Sequence, residues 1–460
     1  MRRPSTDRGR LLLILALATA VTVFTATVPL LRDWFDLRVY HGTVDSWRHH
    51  GGRIYDYRVP GTAYGFTYPP FAALAMLPMA LLGLPATVAV CLLLDLIALA
   101  VVLRVLAAGA RWRPGVYGWA LTGCLLALFE PLRDTVSFGQ VNLVLLALVL
   151  ADARLLATGR GRWAGVGIGL AAAVKLTPVL FIGLLLLARR WRAAGTATAV
   201  AAGATALAAW AVPDASRFYW TEALWDTSRV GRLAYVSNQS LQGVLARLGE
   251  PDRAVWAAAV LPVLAVWAWR TRRAVALGDW PAGFALTGLA ACLVSPVTWV
   301  HHLVWLLPAL AVLLRTGHPR VAGALYAVLC TSVVWLWTDD ASGPDGFLGA
   351  NTYVWITLGL LLALPAGHSS SDRPATRRST SSTAPPPSPA APVIAQVSAQ
   401  PGPSSAGAAA ATGSADEAGP GRDRARGASS EPTGSTRPAD ANPQSSSERA
   451  SSYTVKAPPS

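Results

Sequence analysis

Long runs without a charged residue set the strongest constraint on how this chain can fold. The first, Leu11 to Leu31, has 21 residues. As a helix it would span roughly 30 Å, the thickness of the hydrocarbon core of a bilayer. Further apolar runs lie at about 86–108, 114–130, 140–156, 163–175, 176–188, 194–212, 253–270, 281–298, 302–315, 320–338 and 352–366. The pattern predicts an all-α integral membrane protein with about twelve transmembrane helices, since helices satisfy their own backbone groups in lipid.

Two apolar runs allow other interpretations. Pro69 to Leu82 has only 14 residues, which is short for a span and predicts an interfacial or re-entrant helix. The first run follows four arginines, so a signal peptide is the alternative there. Because no cleavage site stands cleanly before Arg32 and many spans follow, we expect a retained first helix.

The arginines agree with this arrangement of spans. If the basic N-terminus is cytoplasmic, most arginine clusters fall in cytoplasmic loops, as the positive-inside rule requires. Topology therefore explains the net charge of +14, and we predict no nucleic acid binding. The clusters are Arg111 and Arg113; Arg154, Arg160 and Arg162; Arg189, Arg190 and Arg192; Arg270, Arg272 and Arg273; and Arg315 with Arg320.

The composition changes near residue 367. From 368 onward Ser, Pro, Ala, Thr and Gly dominate, and Tyr453 is the one aromatic residue. Such a segment cannot bury enough apolar surface to offset its ordering entropy. We therefore expect a polytopic membrane domain (1–367), with a structured first external loop (32–68), followed by a disordered cytoplasmic tail (368–460).

The first external loop holds a candidate general base. Asp36 stands in the motif DLRVY shortly after the first span, where a carboxylate can take a proton from a hydroxyl. A solvated carboxylate, or one paired with Arg32 or Arg38, is the alternative interpretation. The other carboxylates that composition offers equally are Asp33, Asp45 and Asp56.

Polar groups also collect at the second external turn, EPLRDTVSFGQVN. It carries Arg133 and Asp134, and Gln140 and Asn142 then open an apolar helix. Amides in that position need a partner, which is either a ligand or another helix.

Two further segments carry unusual polar residues. Lys175 lies in GVGIGLAAAVKLTP, and an ionisable residue in an apolar run indicates a site by default. Pro178 breaks the helix beside it, so this lysine could meet a lipid phosphate near the outer end of two short helices; snorkelling is the alternative. In YVSNQSLQG, Asn238 and Gln239 precede another helix, where capping is the alternative to substrate binding.

The segment SPVTWVHHLVW, residues 295–305, places His301 and His302 at a membrane boundary between Trp299 and Trp305. Interfacial anchoring explains the tryptophans but not two adjacent histidines. These could hydrogen-bond a phosphate or a sugar, or ligate a metal. Adjacent helical residues point about 100° apart, so binding of one metal ion by both is disfavoured.

Taken in order, these segments resemble the polyprenyl-phosphate-mannose-dependent α-1,2-mannosyltransferases, a GT-C class family of bacterial membrane enzymes. The resemblance covers about residues 30–310 and excludes the tail. Its motifs are DLRVY (36–40), TYPP (67–70), GQVN (139–142), GxGLAAAVKLTP (167–178), NQSLQG (238–243) and SPVTWVHH (295–302).

The resemblance implies a GT-C-type helical bundle with its active site at the outer face of the plasma membrane. A mannosyl residue would pass from polyprenyl phosphate to a hydroxyl of a cell-envelope glycolipid or lipoglycan, with inversion to an α-linkage. Asp36 would act as base on the acceptor, while Lys175, His301 and His302 would stabilise the leaving phosphate. The other candidates for substrate binding are Tyr40, Tyr68, Arg133, Asp134, Gln140, Asn142, Asn238, Gln239 and Trp299. No metal or other cofactor is implied.

Two other classes of protein remain open at this point. A polytopic transporter or flippase would also have broken helices near Lys175, although its halves should show an internal repeat, and we find none. The second is a membrane scaffold without a working active site.

Overall fold

The computed structural model describes residues 6–27, 33–108, 115–249 and 252–367. Arg32, Arg111, Arg113 and the expected tail lie outside the described residues. The α-helices of the described ranges are α1 (Asp7–Thr27), α2 (Phe35–His49), α3 (Pro70–Met76), α4 (Leu84–Ala107), α5 (Val116–Leu128), α6 (Glu130–Phe138), α7 (Asn142–Ala157), α8 (Val166–Val174), α9 (Leu180–Leu187), α10 (Trp191–Ala211), α11 (Pro213–Phe218), α12 (Leu241–Leu248), α13 (Arg253–Ala276), α14 (Trp280–Val294), α15 (Leu306–Arg315), α16 (Pro319–Cys330), α17 (Gly343–Gly349) and α18 (Thr352–Ala363).

Each predicted apolar run contains one of these helices. Three of them, α4, α10 and α13, are long and apolar enough to cross a membrane, and the number rises to five if each of two bent pairs forms one span. The pairs are α6 with α7, bent by 118°, and α17 with α18, bent by 57°. The structure is thus that of an all-α membrane protein, while the count of about twelve crossings stays a prediction.

The outer surface of the long helices is apolar. Leu96 and Ile97 of α4 are more than half exposed, and Trp210 of α10 is 82% exposed. Apolar surface of this extent is unfavourable in water and is typical of a face covered by lipid. Helix α14 lies on the opposite, inner side, where almost every side chain from Trp280 to Leu293 is buried against α13, α15 and α18.

Two glycines allow α8 to lie unusually close to its neighbours. A Cβ added to Gly167 would come 2.3 Å from the Leu148 carbonyl oxygen of α7. One added to Gly169 would come 2.5 Å from the Ala197 carbonyl oxygen of α10. Only a residue without a side chain fits at this distance, so the glycine-rich run allows α8 to pack directly against α7 and α10.

The residues after α1 form a folded layer next to the helices. Helix α2 and the segment that follows it bury an aromatic cluster that includes Tyr40, Tyr55, Phe66 and Tyr219. The predicted short apolar segment then forms α3 and a 3-10 turn, Leu77–Leu81, which is about 18 Å of helix and too short to cross a bilayer.

Candidate active site

A cavity of about 390 Å³ opens between α2, the start of α3, the end of α8 and the segment before α15. Its wall combines polar groups with apolar side chains such as Leu180 and Val294. The predicted site residues that line it are Asp36, Tyr40, Tyr68, Gln140, Lys175, Trp299 and His302.

Asp36 lies in the first turn of α2, and its carboxylate accepts a hydrogen bond from the segment between α6 and α7. Gln140 Nε2 donates a hydrogen bond of 2.7 Å to Asp36 Oδ2. Gly139 makes this approach possible: its φ is +70°, and an added Cβ would lie 2.6 Å from the Cβ of Leu37. A left-handed residue in such close contact has to be glycine. The motif GQVN therefore lets the junction of α6 and α7 approach α2 closely enough for Gln140 to reach Asp36.

Burial raises the pKa of Asp36 to about 6. The hydrogen bond from Gln140 and the positive charge of Lys175 both oppose that rise, because they stabilise the carboxylate. A carboxyl group with a pKa near 6 is ionised at neutral pH and is still basic enough to accept a proton from an alcohol as a bond forms.

Tyr68 connects Asp36 to Lys175 through its hydroxyl group. That hydroxyl donates to Gln140 Oε1 (2.8 Å) and accepts from Tyr40 (2.9 Å) and from Lys175 Nζ (3.2 Å). Pro69 and Pro70 follow Tyr68 and begin α3, since proline is pre-organised for the first helical turn. The motif TYPP thereby fixes the direction in which Tyr68 enters the cavity.

Lys175 lies at the break between α8 and the 3-10 turn Thr177–Val179. Pro178 cannot continue a helix, because its ring would clash with the carbonyl group four residues earlier. The backbone of Lys175 is therefore extended, with φ −146° and ψ 134°. Its Nζ lies 3.0 Å from Asn142 Oδ1 and 2.8 Å from His302 Nε2.

This lysine also stands out by its scarcity. The full sequence contains only two lysines, Lys175 and Lys456. All other basic side chains except histidine are arginines, so Lys175 is the one lysine of the predicted membrane domain. A compact ammonium group can approach a phosphate as a point charge in a narrow site. The larger guanidinium group of arginine would fill the same site.

The segment that carries His302 is clamped by the NQS motif. Asn238 Nδ2 donates to the Pro296 carbonyl oxygen (3.2 Å), and its Oδ1 accepts from the Thr298 amide (2.9 Å). Ser240 Oγ donates to the same Pro296 oxygen (3.0 Å). These bonds hold residues 296–302 against the start of α12, so two motifs far apart in the chain form one unit.

Six predicted site residues do not line this cavity, and we assign structural roles to five of them. Asn238 and Gln239 are fully buried, with their amides bonded to backbone atoms. Arg133 Nη2 donates to Ser332 Oγ (2.9 Å), and Asp134 is buried in α6. The His301 ring packs on Phe138, with centroids 5.0 Å apart. Asn142, the remaining candidate, lies deeper, between Lys175 and the His301 carbonyl oxygen.

We predict that Asn238→Ala lowers thermal stability, because Asn238 holds the segment that carries His302. The variant loses three side-chain hydrogen bonds and leaves buried backbone groups without partners, which costs about 3 kcal/mol. The control is Gln242→Ala on α12, because the Oε1 atom of Gln242 has no hydrogen-bond partner among the described residues. A thermal unfolding curve in detergent should move clearly for Asn238→Ala and little for the control. Normal stability with a raised KM would instead place Asn238 at the substrate.

Within the described residues, no group of three or more His, Cys, Asp or Glu side chains is arranged to hold a metal ion. The charged or titratable side chains of the cavity wall, apart from its tyrosines, are Asp36, Asp226, Lys175, Arg229 and His302. Among them, Asp36, Lys175 and His302 belong to the hydrogen-bonded group described above. This group joins a proton acceptor at one end to a binding site for an anion at the other.

Comparison with known proteins identifies the class to which this site belongs. The model of glycosyltransferase family 87 matches residues 66–296, so the chain belongs to that family of membrane glycosyltransferases. This confirms the resemblance drawn from the motifs and decides the class in favour of an enzyme. No solved structure matches the chain.

Two relatives share the name polyprenol-phosphate-mannose-dependent α-(1-2)-phosphatidylinositol mannoside mannosyltransferase. The one from Mycobacterium tuberculosis is 33% identical over 357 residues, which are 71% of this chain and 83% of the relative. The one from Mycolicibacterium smegmatis is 33% identical over 338 residues, which are 65% of this chain and 75% of the relative. A third relative, also from Mycolicibacterium smegmatis, is named for a phosphatidylinositol pentamannoside and is 34% identical over 331 residues, 68% and 77% of the two chains.

Proposed function

We propose that this enzyme transfers a mannosyl residue from polyprenyl-phosphate-mannose to a hydroxyl group of a phosphatidylinositol mannoside or a related envelope glycolipid. The reaction takes place at the outer face of the plasma membrane and inverts the anomeric carbon, so a β-linked donor gives an α-linked product. The names of the relatives support the two substrates. The arginine pattern supports the orientation.

The observation that carries the proposal is the pairing of one basic carboxylate with one cationic site in a single cavity. Inversion by direct displacement needs a base that takes the proton of the attacking hydroxyl, and a stabilised leaving group opposite to it. Asp36 supplies the base. Lys175 and His302, whose Nζ and Nε2 atoms lie 2.8 Å apart, would bind the leaving phosphate.

The balance of atoms requires no further reagent. The acceptor oxygen forms the new bond to the anomeric carbon, and its proton passes to Asp36. The bond from the anomeric carbon to the phosphate oxygen breaks, and the polyprenyl phosphate leaves with the electron pair. Apolar residues of the wall, among them Leu176, Leu180 and Val294, suit the first isoprene units of the donor.

The proposal is tested with the purified full-length protein in lipid nanodiscs. We expect transfer of radiolabelled mannose from polyprenyl-phosphate-mannose to phosphatidylinositol mannoside, and sensitivity of the product to an α-mannosidase. Transfer of another sugar from its own polyprenyl phosphate, with none from the mannose donor, would overturn the assignment of mannose. A β-linked product would overturn inversion.

A pH profile tests the role of Asp36 independently. Because the carboxylate is the active form and its pKa is about 6, kcat/KM should fall as the pH drops from 7 through 6. Gln140→Leu removes a hydrogen bond that stabilises the charged form, so the falling limb should move to higher pH in that variant. A profile that stays flat down to pH 4.5, or an unmoved limb in Gln140→Leu, would contradict this role.

A further inference from the structure

A second cavity, of about 540 Å³, lies beside the first and is not used by the chemistry described above. It is formed by the end of α2, the segment after it, and α11. We propose that it binds the negatively charged, sugar-bearing head group of the acceptor lipid, with the phosphodiester group against arginines. This inference rests on the proposed function and assigns its acceptor subsite.

The two cavities are separated by a thin aromatic wall. Tyr55 and Phe218 line the second cavity, while Tyr219 lines the first. The rings of Tyr55 and Tyr219 are stacked with centroids 6.1 Å apart, and Tyr55 and Phe218 lie 5.4 Å apart. A ligand in the second cavity is therefore about one aromatic layer away from the space in front of Asp36.

Arg229 lies at the junction and lines both cavities. Its guanidinium group is 5.2 Å from the centroid of the Phe218 ring, and its Nη2 lies 3.4 Å from the Tyr55 carbonyl oxygen. Its Nε is buried and has no hydrogen-bond partner in the described part of the chain. A buried donor without a partner costs free energy, and an anionic ligand between the cavities would remove that cost.

The charges of the second cavity favour a sugar phosphate over a bare anion. The lining of the second cavity includes Arg53, Arg58 and Arg229 together with Asp56 and Asp214. No ion pair within the described residues joins these carboxylates to these arginines, so their charges are not neutralised by one another. Carboxylates repel a simple anion but accept hydrogen bonds from sugar hydroxyls, whereas guanidinium groups bind phosphate.

The aromatic lining of the second cavity also favours a ligand that carries a sugar. Trp47 is partly exposed at the end of α2 and lines the second cavity. A flat indole face suits the C–H surface of a pyranose or inositol ring. The cavity thus offers contacts for a sugar, for its hydroxyls and for a neighbouring phosphodiester, which is the composition of a phosphatidylinositol mannoside head group.

The test compares two acceptors in nanodiscs, with polyprenyl-phosphate-mannose as donor. One is a phosphatidylinositol mannoside, and the other is an alkyl mannoside with the same sugars and no phosphodiester. For Arg53→Gln we expect the KM of the charged acceptor to rise about 10-fold. The KM of the neutral acceptor and the KM of the donor should stay unchanged. Arg53 is an exposed residue that lines only the second cavity.

Arg48→Gln is the matched control, because Arg48 is an exposed arginine near the end of α2 that lines neither cavity. An unchanged KM in Arg53→Gln, an equal rise for both acceptors, or an equal rise in the control would overturn the inference. A rise in the donor KM alone would assign the cavity to the donor.

The proposed function and this inference can fail separately. If the parent protein transfers no mannose to either acceptor, the proposed function fails. Retention of radiolabelled phosphatidylinositol mannoside by the parent and by Arg53→Gln, without donor, then tests the cavity by itself. Weaker retention by Arg53→Gln alone would support the inference, and equal retention would overturn it.

Discussion

Asp36→Asn should lower the turnover of mannosyl transfer by about 10³-fold, because an amide cannot take the proton of the attacking hydroxyl. The substitution keeps the shape of the side chain, and its oxygen can still accept the hydrogen bond from Gln140 Nε2. We therefore expect normal expression, unchanged thermal unfolding and an unchanged KM for the donor. Single-turnover transfer of radiolabelled mannose by purified protein measures the loss.

The control for this variant is another carboxylate of α2. Asp45 accepts a hydrogen bond of 3.0 Å from His49 and does not line the cavity. Asp45→Asn should retain activity close to that of the parent. If Asp36→Asn keeps more than about a tenth of the activity, a loss far below that of a general base, or if Asp45→Asn loses as much, then Asp36 is not the base.

Lys175→Met should produce the second large effect, a decrease of about 10²-fold or more in turnover. Negative charge builds up on the phosphate oxygen as the bond to the sugar breaks, and a buried cation beside it stabilises that charge more in the transition state than in the ground state. Methionine is similar in length to the apolar stem of lysine and carries no charge. The decrease should therefore fall mainly on kcat, with a smaller change in the donor KM.

The other lysine provides a matched control. Lys456→Met removes one lysine charge from a position in the expected tail, outside the described residues, and should leave transfer unchanged. Thermal unfolding of Lys175→Met has to be measured as well, since Tyr68 and Asn142 lose a partner. A stable Lys175→Met protein with normal kcat would remove this residue from the leaving-group site.

Much of the helical framework could be predicted from local sequence. The broken helix at Lys175 is an example: the proline three residues later, together with the glycine-rich run before it, determines the break whatever the rest of the chain does. The short helix after Pro69 could also be predicted, because the length of its apolar run is too short to span a bilayer. Such features depend on neighbours within about one helical turn.

The connections of the site could not be predicted in the same way. Gln140 and Asp36 are 104 residues apart in sequence, and Tyr68 and Lys175 are 107 apart. Motif order placed these residues at one site, but it did not indicate that Gln140 and Tyr68 connect the carboxylate to the lysine. The sequence also placed Arg133 in an external turn as a candidate for substrate binding, whereas it lies in a buried helix and donates to Ser332, 199 residues away.

Arg229 was not among the residues predicted from the sequence. The segment 213–250 contains four arginines, Arg217, Arg229, Arg232 and Arg247, and no local motif distinguishes one of them. Arg229 is distinguished by its position between the two cavities, which depends on the packing of α11 against the segment after α2.

The near-absence of lysine gives this protein a built-in spectroscopic reporter. Protein grown with lysine labelled with ¹⁵N at the side-chain amine should show only two side-chain amine resonances, one from Lys175 and one from Lys456. The Lys175 signal would then report directly on the ionisation of the amine when the lipid-linked donor binds and when its phosphate departs. The protonation of this one amine could therefore be followed without any substitution.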